Sequence, residues 1–239
     1  MQSVFITGAD RGLGLSLCKE FLSRQWRVFA GKYREDYSLL ECLQQENKNL
    51  FIIRIDVGDA DSITKAVQEI AEISSRLDML ISNAALMGKV NCKINEPPMD
   101  LESVWRLFNV NALGPLRLTN AVLPLMQGGL KRLCYVSSEV SSINLMKFRH
   151  SDSFPYPMSK AAMNMGIRLL FNALYPIGYT FRLFHPGWMK FRLPDGSLTD
   201  EGKFDPDFIG EYAAKYFEKS LYDENRLVML DYNGYEWPF

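Results

Sequence analysis

Tyr156 and Lys160, within Tyr156-Pro157-Met158-Ser159-Lys160, are the residues of this chain best suited to proton chemistry. At this spacing on a helix they share one face, which places an ammonium beside a phenol. A free phenol titrates near ~10. A neighbouring positive charge favours the phenolate, so Lys160 is expected to lower the Tyr156 value toward neutral pH. Such a group can give a proton to a carbonyl oxygen while the carbonyl carbon accepts a hydride. Tyr and Lys also stand this way on many ordinary helix surfaces, so the pair gains its meaning from its surroundings.

A second stretch supplies those surroundings. Thr7-Gly8-Ala9-Asp10-Arg11-Gly12-Leu13-Gly14 follows an apolar run and opens directly into a helical pattern. The glycines permit a tight turn and let the backbone approach a pyrophosphate, which would sit at the positive end of the helix. A glycine-rich loop between a strand and a helix, inside a βαβ pattern, indicates nucleotide binding.

These residues must be positioned by regular elements, and the pattern of those elements is clear. Ser3–Thr7, Arg27–Ala30, Leu50–Ile55, Met79–Ser82, Arg132–Val136, Thr180–Phe184 and Arg226–Leu230 read as strands. Helical patterns run near 13–25, 36–47, 60–75, 101–127, 156–174 and 206–219. Strands apolar on both faces, alternating with helices, imply a parallel sheet covered on each side. The expectation is one doubly wound α/β domain over residues 1–239, with a parallel sheet of about seven strands. Ligands of such sheets bind beyond the carboxyl ends of the strands, where both stretches above fall.

Composition narrows the function classes. The 239 residues are 47% hydrophobic and 23% charged with a net charge of −1, an ordinary balance for one globular core. There is no basic block or stripe, so neither nucleic acid nor an anionic membrane surface is an expected partner. No apolar run approaches the ~18 residues of a membrane span. The start lacks a basic leader, and Cys18, Cys42, Cys92 and Cys134 are scattered without CxxC spacing. Reduced thiols in a cytoplasmic protein are therefore expected. Two isolated histidines, His150 and His185, with scattered cysteines do not make a metal site, and none is expected. His150 falls in a polar loop that reads as solvated or as lining a substrate mouth, and His185 reads as structural.

The spacing GxxxGxG, with glycines at 8, 12 and 14, resembles the short-chain dehydrogenase/reductase family. The resemblance extends over nearly the whole chain. Asp56-Val57 looks like the family's adenine-contacting acidic position, and Ser82-Asn83-Ala84-Ala85 like its Asn-Asn-Ala-Gly segment. Asn111-Ala112-Leu113-Gly114 resembles the mid-helix asparagine motif. Ser137-Ser138, Tyr156…Lys160 and Pro186-Gly187 follow in family order. The stretches His185-Pro186-Gly187-Trp188 and Leu230–Phe239 look like the C-factor and sniffer-type carbonyl reductase branch.

That resemblance implies roles. Tyr156 would be the general acid in reduction and base in oxidation, with Lys160 depressing its pKa and bonding the nicotinamide ribose. Ser138 would hold the substrate oxygen, with Ser137 the neighbouring candidate, since only one of two consecutive strand residues can face the site. Asn111 would hold a water linking Lys160 to solvent. The cofactor would lie against Thr7, Gly8, Arg11, Gly12, Leu13, Gly14, Asp56, Val57, Asn83, Ala84, Tyr156, Lys160, Pro186 and Gly187. No acid follows the second strand directly, and Arg11 and Arg34 are placed to clamp a 2′-phosphate, so NADP is expected over NAD.

Three departures from the family pattern stand out. Ser82 and Ala85 replace the family's asparagine and glycine, and Met189-Lys190-Phe191 lacks the threonine that often bonds the carboxamide. The interval from Ser138 to Tyr156 is also longer than usual, enlarging the loop beside the substrate. The apolar residues of 188–204 suit a substrate loop over a small carbonyl or alcohol substrate, and suit a core-covering flap equally well. The helices near 101–127 and 156–174 carry apolar positions beyond what one sheet face needs, and the family resemblance implies that they pack across a homodimer or homotetramer. The expected activity is NADPH-dependent hydride transfer to a carbonyl. The alternative is a cofactor-binding signalling or regulatory protein with little turnover.

Overall fold

The computed structural model describes residues 1–87, 100–146, 154–221 and 224–239. Its centre is an eight-stranded sheet ordered β3-β2-β1-β4-β5-β6-β7-β8. The strands are β1 Ser3–Thr7, β2 Arg27–Lys32, β3 Leu50–Arg54, β4 Met79–Ser82, β5 Arg132–Val136, β6 Thr180–His185, β7 Met229–Asp231 and β8 Glu236–Trp237. Every pairing from β3 across to β7 is parallel, and only the β7–β8 edge is antiparallel. The helices are α1 Gly12–Ser23, α2 Leu39–Glu46, α3 Ala60–Ile73, α4 Leu101–Phe108, α5 Gly114–Met126, α6 Pro155–Leu174 and α7 Pro206–Glu218.

Side chains of successive strand residues point to opposite faces, and each face finds its own helices. Phe5, Phe29, Ile53, Leu80, Leu133 and Leu183 share a core with α3, α5 and α6. Val4, Ile6, Val28, Ala30, Met79, Ile81, Cys134 and Phe184 pack with α1 and α7. The strands of β1, β4 and β5 are buried along their whole length, as a sheet covered on both faces requires.

The sequence placed β1, β4 and β5 to the residue and set the other parallel strands within a few residues. Two features escaped it. β8 is two residues long and carries too little pattern to register. The single helix expected over 101–127 is divided by a π-helical turn at Asn109–Leu113, where Gly114 N–H donates back to the Asn109 carbonyl. A wide turn of this kind often marks a functional site.

The order of strands reverses between β1 and β4. A doubly wound sheet opens its crevice at that switch point, beyond the carboxyl ends of the strands. Among the described residues no helix is long and apolar enough to cross a membrane. The described cysteines are free, with Cys18 and Cys134 buried and Cys42 exposed; Cys92 and His150 lie outside the described residues.

Candidate functional site

The glycine loop leaves β1 and enters α1 at the switch point. Gly8 and Gly12 take the left-handed φ values of 64° and 54°. A Cβ on Gly8 would stand 2.8 Å from the Ala84 Cα, and one on Gly14 only 2.0 Å from the Gly8 carbonyl oxygen. Gly12 instead opens onto free space. The first turn of α1 has no side-chain cap at Arg11. Its amide hydrogens therefore remain available to an anion at the positive end of the helix. This bare backbone surface fits a pyrophosphate.

Thr7 and Asn83 act behind that surface. Thr7 is fully buried, and its Oγ1 accepts from the Asn83 and Ala84 amides at 3.1 and 3.2 Å. Asn83 Nδ2 donates to the Thr7 and Gly8 carbonyls at 2.9 and 3.1 Å. Together they tie the end of β1 to the end of β4 and fix the curve of the loop. Leu13 is buried in the core beneath it. Val57 is buried too, while Asp56 spends one carboxylate oxygen on the Gly58 amide at 2.7 Å.

Arg11 and Arg34 meet over a residue that the sequence did not single out. The Arg11 guanidinium carbon lies 5.1 Å from the Tyr37 ring centroid and that of Arg34 5.4 Å. Arg11 Nη1 also donates to the Tyr37 hydroxyl at 2.6 Å. Asp10 sets the second arm: its Oδ1 accepts from the Tyr33 and Arg34 amides at 2.8 and 2.7 Å. Arg34 forks onto Asp36 at 2.8 and 2.6 Å, which holds the Asp36 carboxyl below its usual range. That carboxylate shows the two-pronged contact the Arg34 guanidinium offers an anion.

At the end of β5 the two serines separate. Ser137 is buried and donates to Asn164 Oδ1 at 2.8 Å, inside a network that also holds Ser141. Ser138 is half-buried and hydrogen-bonds the Tyr156 side chain across the gap to α6. The alternation of side chains along the strand therefore gives Ser138 to the site and Ser137 to the support.

Tyr156 departs from expectation. Its phenol is pushed up to about 12 rather than lowered: burial raises it, and the Ser138 hydrogen bond opposes that only in part. Lys160 does not turn its charge onto the phenol. Its ammonium, 2% exposed, donates to the Val136 carbonyl at 2.9 Å and lies against Met163. Burial lowers the Lys160 value to about 8. Helical spacing put both residues on one face, but a long flexible stem let the ammonium reach the nearest carbonyl.

Asn111 sits within the π turn, fully buried. Its Oδ1 accepts from the Leu86 amide at 2.8 Å, and its Nδ2 donates to the Leu86 carbonyl at 2.8 Å and Ser159 Oγ at 3.0 Å. Both side-chain donors are thus committed to joining α6 to the segment after β4. Ser159 lies inside the Tyr156–Lys160 stretch, but sequence reasoning gave it no role there.

Pro186 is buried and Gly187, at φ 75°, turns the chain after β6. The following segment folds over the α1 side. Lys190 N–H donates to the Phe204 carbonyl at 2.8 Å and Lys203 N–H to the Trp188 carbonyl at 2.7 Å, closing its base. Met189 and Phe204 turn into the core, while Trp188 stays 64% exposed. Among the described residues no three metal-ligating side chains gather.

Comparison with known proteins gives a consistent picture. The family model for short chain dehydrogenase matches residues 2–200. The C-signal protein of Myxococcus xanthus is 40% identical over 166 residues, covering 68% of this chain and 93% of that protein. The NADPH-bound carbonyl reductase from chicken fatty liver superposes with a TM-score of 0.85 at 26% identity, covering 100% of this chain and 99% of its own. Carbonyl reductase Sniffer of D. melanogaster shares the fold at a TM-score of 0.86 and 23% identity, with both chains covered in full.

Proposed function

The chain belongs to the short-chain dehydrogenase family, and from that premise we propose that it is an NADPH-dependent oxidoreductase interconverting a carbonyl and its alcohol. The observation that carries this reading is the hydrogen bond between Ser138 and Tyr156 beside an uncapped α1 N-terminus. A proton donor and an orienting hydroxyl then face the crevice where a dinucleotide fits.

In this reading Gly8, Gly12, Leu13 and Gly14 hold the pyrophosphate, Asp56 and Val57 the adenine end, and Ala84, Pro186 and Gly187 border the nicotinamide. Reduced nicotinamide, when bound, supplies the hydride. Ser138 Oγ donates a hydrogen bond to the substrate carbonyl oxygen and fixes its orientation. Tyr156 Oη gives its proton to that oxygen as the carbonyl carbon becomes an alcohol carbon, and oxidation reverses both transfers. A phenol held near 12 stays protonated at neutral pH, which suits the reductive direction.

Lys160 returns the proton from solvent and bonds the nicotinamide ribose. Its lowered value places it close to working pH for that exchange. With both Asn111 side-chain donors spent, its carbonyl is the group left to hold a water in the relay. Arg11 and Arg34 would hold the 2′-phosphate, Arg34 giving up Asp36 to do so; the Arg34–Asp36 pair is exposed, and such pairs are worth little. The NADPH of the chicken structure and the NADP of a Pseudomonas aeruginosa complex, 27% identical, support this cofactor.

Exposed Leu101 and Trp105 on α4 and Met165 and Leu169 on α6 supply the apolar face for a homodimer or homotetramer. The free thiols of Cys18, Cys42 and Cys134 support a cytoplasmic location within this reading. Consumption of NADPH and NADH by purified protein with activated ketones, aldehydes and quinones tests the function. Faster turnover with NADPH is the expected result. The similarity to C-signal favours a second reading, a cofactor-binding regulatory protein. Cofactor binding without turnover on any carbonyl would turn the account to that reading.

A further inference from the structure

The polar turn between β2 and α2 hides one aromatic ring. Tyr33, Arg34, Glu35, Asp36 and Ser38 are exposed, while Tyr37 is only 2% exposed. Buried rings gather into apolar clusters, yet Tyr37 joins neither of the two cores that cover the sheet. Cations lie over it instead. The guanidinium carbons of Arg11, from the glycine loop, and Arg34, from the turn, stand 5.1 and 5.4 Å from its ring centroid.

Each arginine is fixed a second time. The Tyr37 hydroxyl accepts from Arg11 Nη1 at 2.6 Å. Asp10, 5% exposed, accepts from the Tyr33 and Arg34 amides at 2.8 and 2.7 Å, which ties the glycine loop to the turn and sets the backbone of Arg34. The two cations also act on one place. The Asp36 carboxyl is held below its usual range first by its bond from Arg34, and Arg11 adds to the same pull.

Two guanidiniums repel each other and ride on long, rotamer-rich stems. Left alone they would spread into solvent, and a ligand would have to order both as it bound. The negative face of an aromatic ring attracts each cation and offsets that repulsion. A phosphate then meets donors already gathered, in the forked geometry that guanidinium offers.

We propose that Tyr37 is the positioning residue of cofactor choice: it gathers Arg11 and Arg34 in advance around one point, which takes a phosphate monoester on the adenosine ribose. This rests on the NADP reading above and is independent of turnover.

The test is calorimetric titration of the wild type, Tyr37→Leu and Tyr37→Phe with adenosine 2′,5′-bisphosphate and with adenosine 5′-monophosphate. The wild type should bind the bisphosphate more tightly. Tyr37→Leu should cut that preference about tenfold through the bisphosphate alone, with the monophosphate affinity within about twofold, and Tyr37→Phe should fall between. A ring that merely supported the fold would weaken both ligands together. Equal losses, or a preference in Tyr37→Leu within about twofold of wild type, would overturn the proposal and leave the NADP reading standing. A wild type without preference would sink the NADP reading, and the proposal with it. Should Tyr37→Leu not fold, Tyr37→Phe decides alone: losing the Arg11 bond must lower the preference about threefold, or the proposal fails.

Discussion

Lys160 reaches from α6 to the last residue of β5, its ammonium donating to the Val136 carbonyl at 2.9 Å. The helix that carries Tyr156 is thereby bolted to the strand that presents Ser138. The same bond keeps a cation in the core, and burial lowers its value to about 8.

The sign of that shift fixes a pH dependence. Lys160 titrates lower when folded than the ~10.4 of a free lysine, so between about 8 and ~10.4 the unfolded chain binds more protons. Stability from this group therefore rises with pH across that window. Lys160→Met should be more stable than wild type at pH 7, by on the order of 2 kcal/mol, with the gain shrinking by pH 10. Urea midpoints at the two pH values measure it.

In the proposed reading Arg11 and Arg34, gathered over Tyr37, would set cofactor preference. Replacing both by Ala should raise the KM for NADPH by about 10- to 100-fold and leave that for NADH within about threefold. Equal losses for both cofactors would mean that the arginines only shape the loop.

Asn111→Ala removes the partners of the Leu86 amide and carbonyl, while Ser159 Oγ keeps its bond to the Tyr156 carbonyl. Stranded buried polar groups cost about 1–3 kcal/mol each, so a loss of about 2–4 kcal/mol is expected in denaturant titration. Activity should fall with it, because α6 carries Tyr156.

Glu224 holds two buried arginines. Its carboxylate accepts from both Arg182 Nη atoms at 2.6 Å, and Arg132 lies 3.8 Å away. Burial alone would raise this carboxyl, but the Arg182 bonds outweigh it and hold it low. Its stabilisation is therefore present above the ordinary carboxylate range and lost as pH falls through the lowered folded value. Glu224→Ala should cost about 3–5 kcal/mol at pH 7 by leaving Arg182 uncompensated. The gap in thermal midpoint between variant and wild type should persist in large part at pH 4 and close only as pH falls below the lowered folded value.

The legibility of this fold followed burial. Strands apolar on both faces, such as β1 and β5, were readable because nothing else explains a run like Val4-Phe5-Ile6. β8 was not, since Glu236-Trp237 offers no period. Glycine spacing revealed the loop, but nothing local marks Tyr37 as the platform between two arginines. Helical spacing placed Tyr156 and Lys160 on one face, while the direction of the phenol's shift depended on burial and on where a flexible ammonium found a carbonyl. The family resemblance favoured Ser138 over Ser137, but the Asn164 contact that engages Ser137 is distant in sequence and could not be read from it.

The central claim is that the Tyr156 phenol delivers the proton, and a single turnover of the NADPH-loaded protein tests it most directly. Tyr156→Phe should lower the rate of carbonyl reduction by about 10²–10⁴-fold, the usual contribution of general acid catalysis, while NADPH binding stays within about threefold. A variant that keeps its rate within a few-fold, with cofactor bound, would contradict the account.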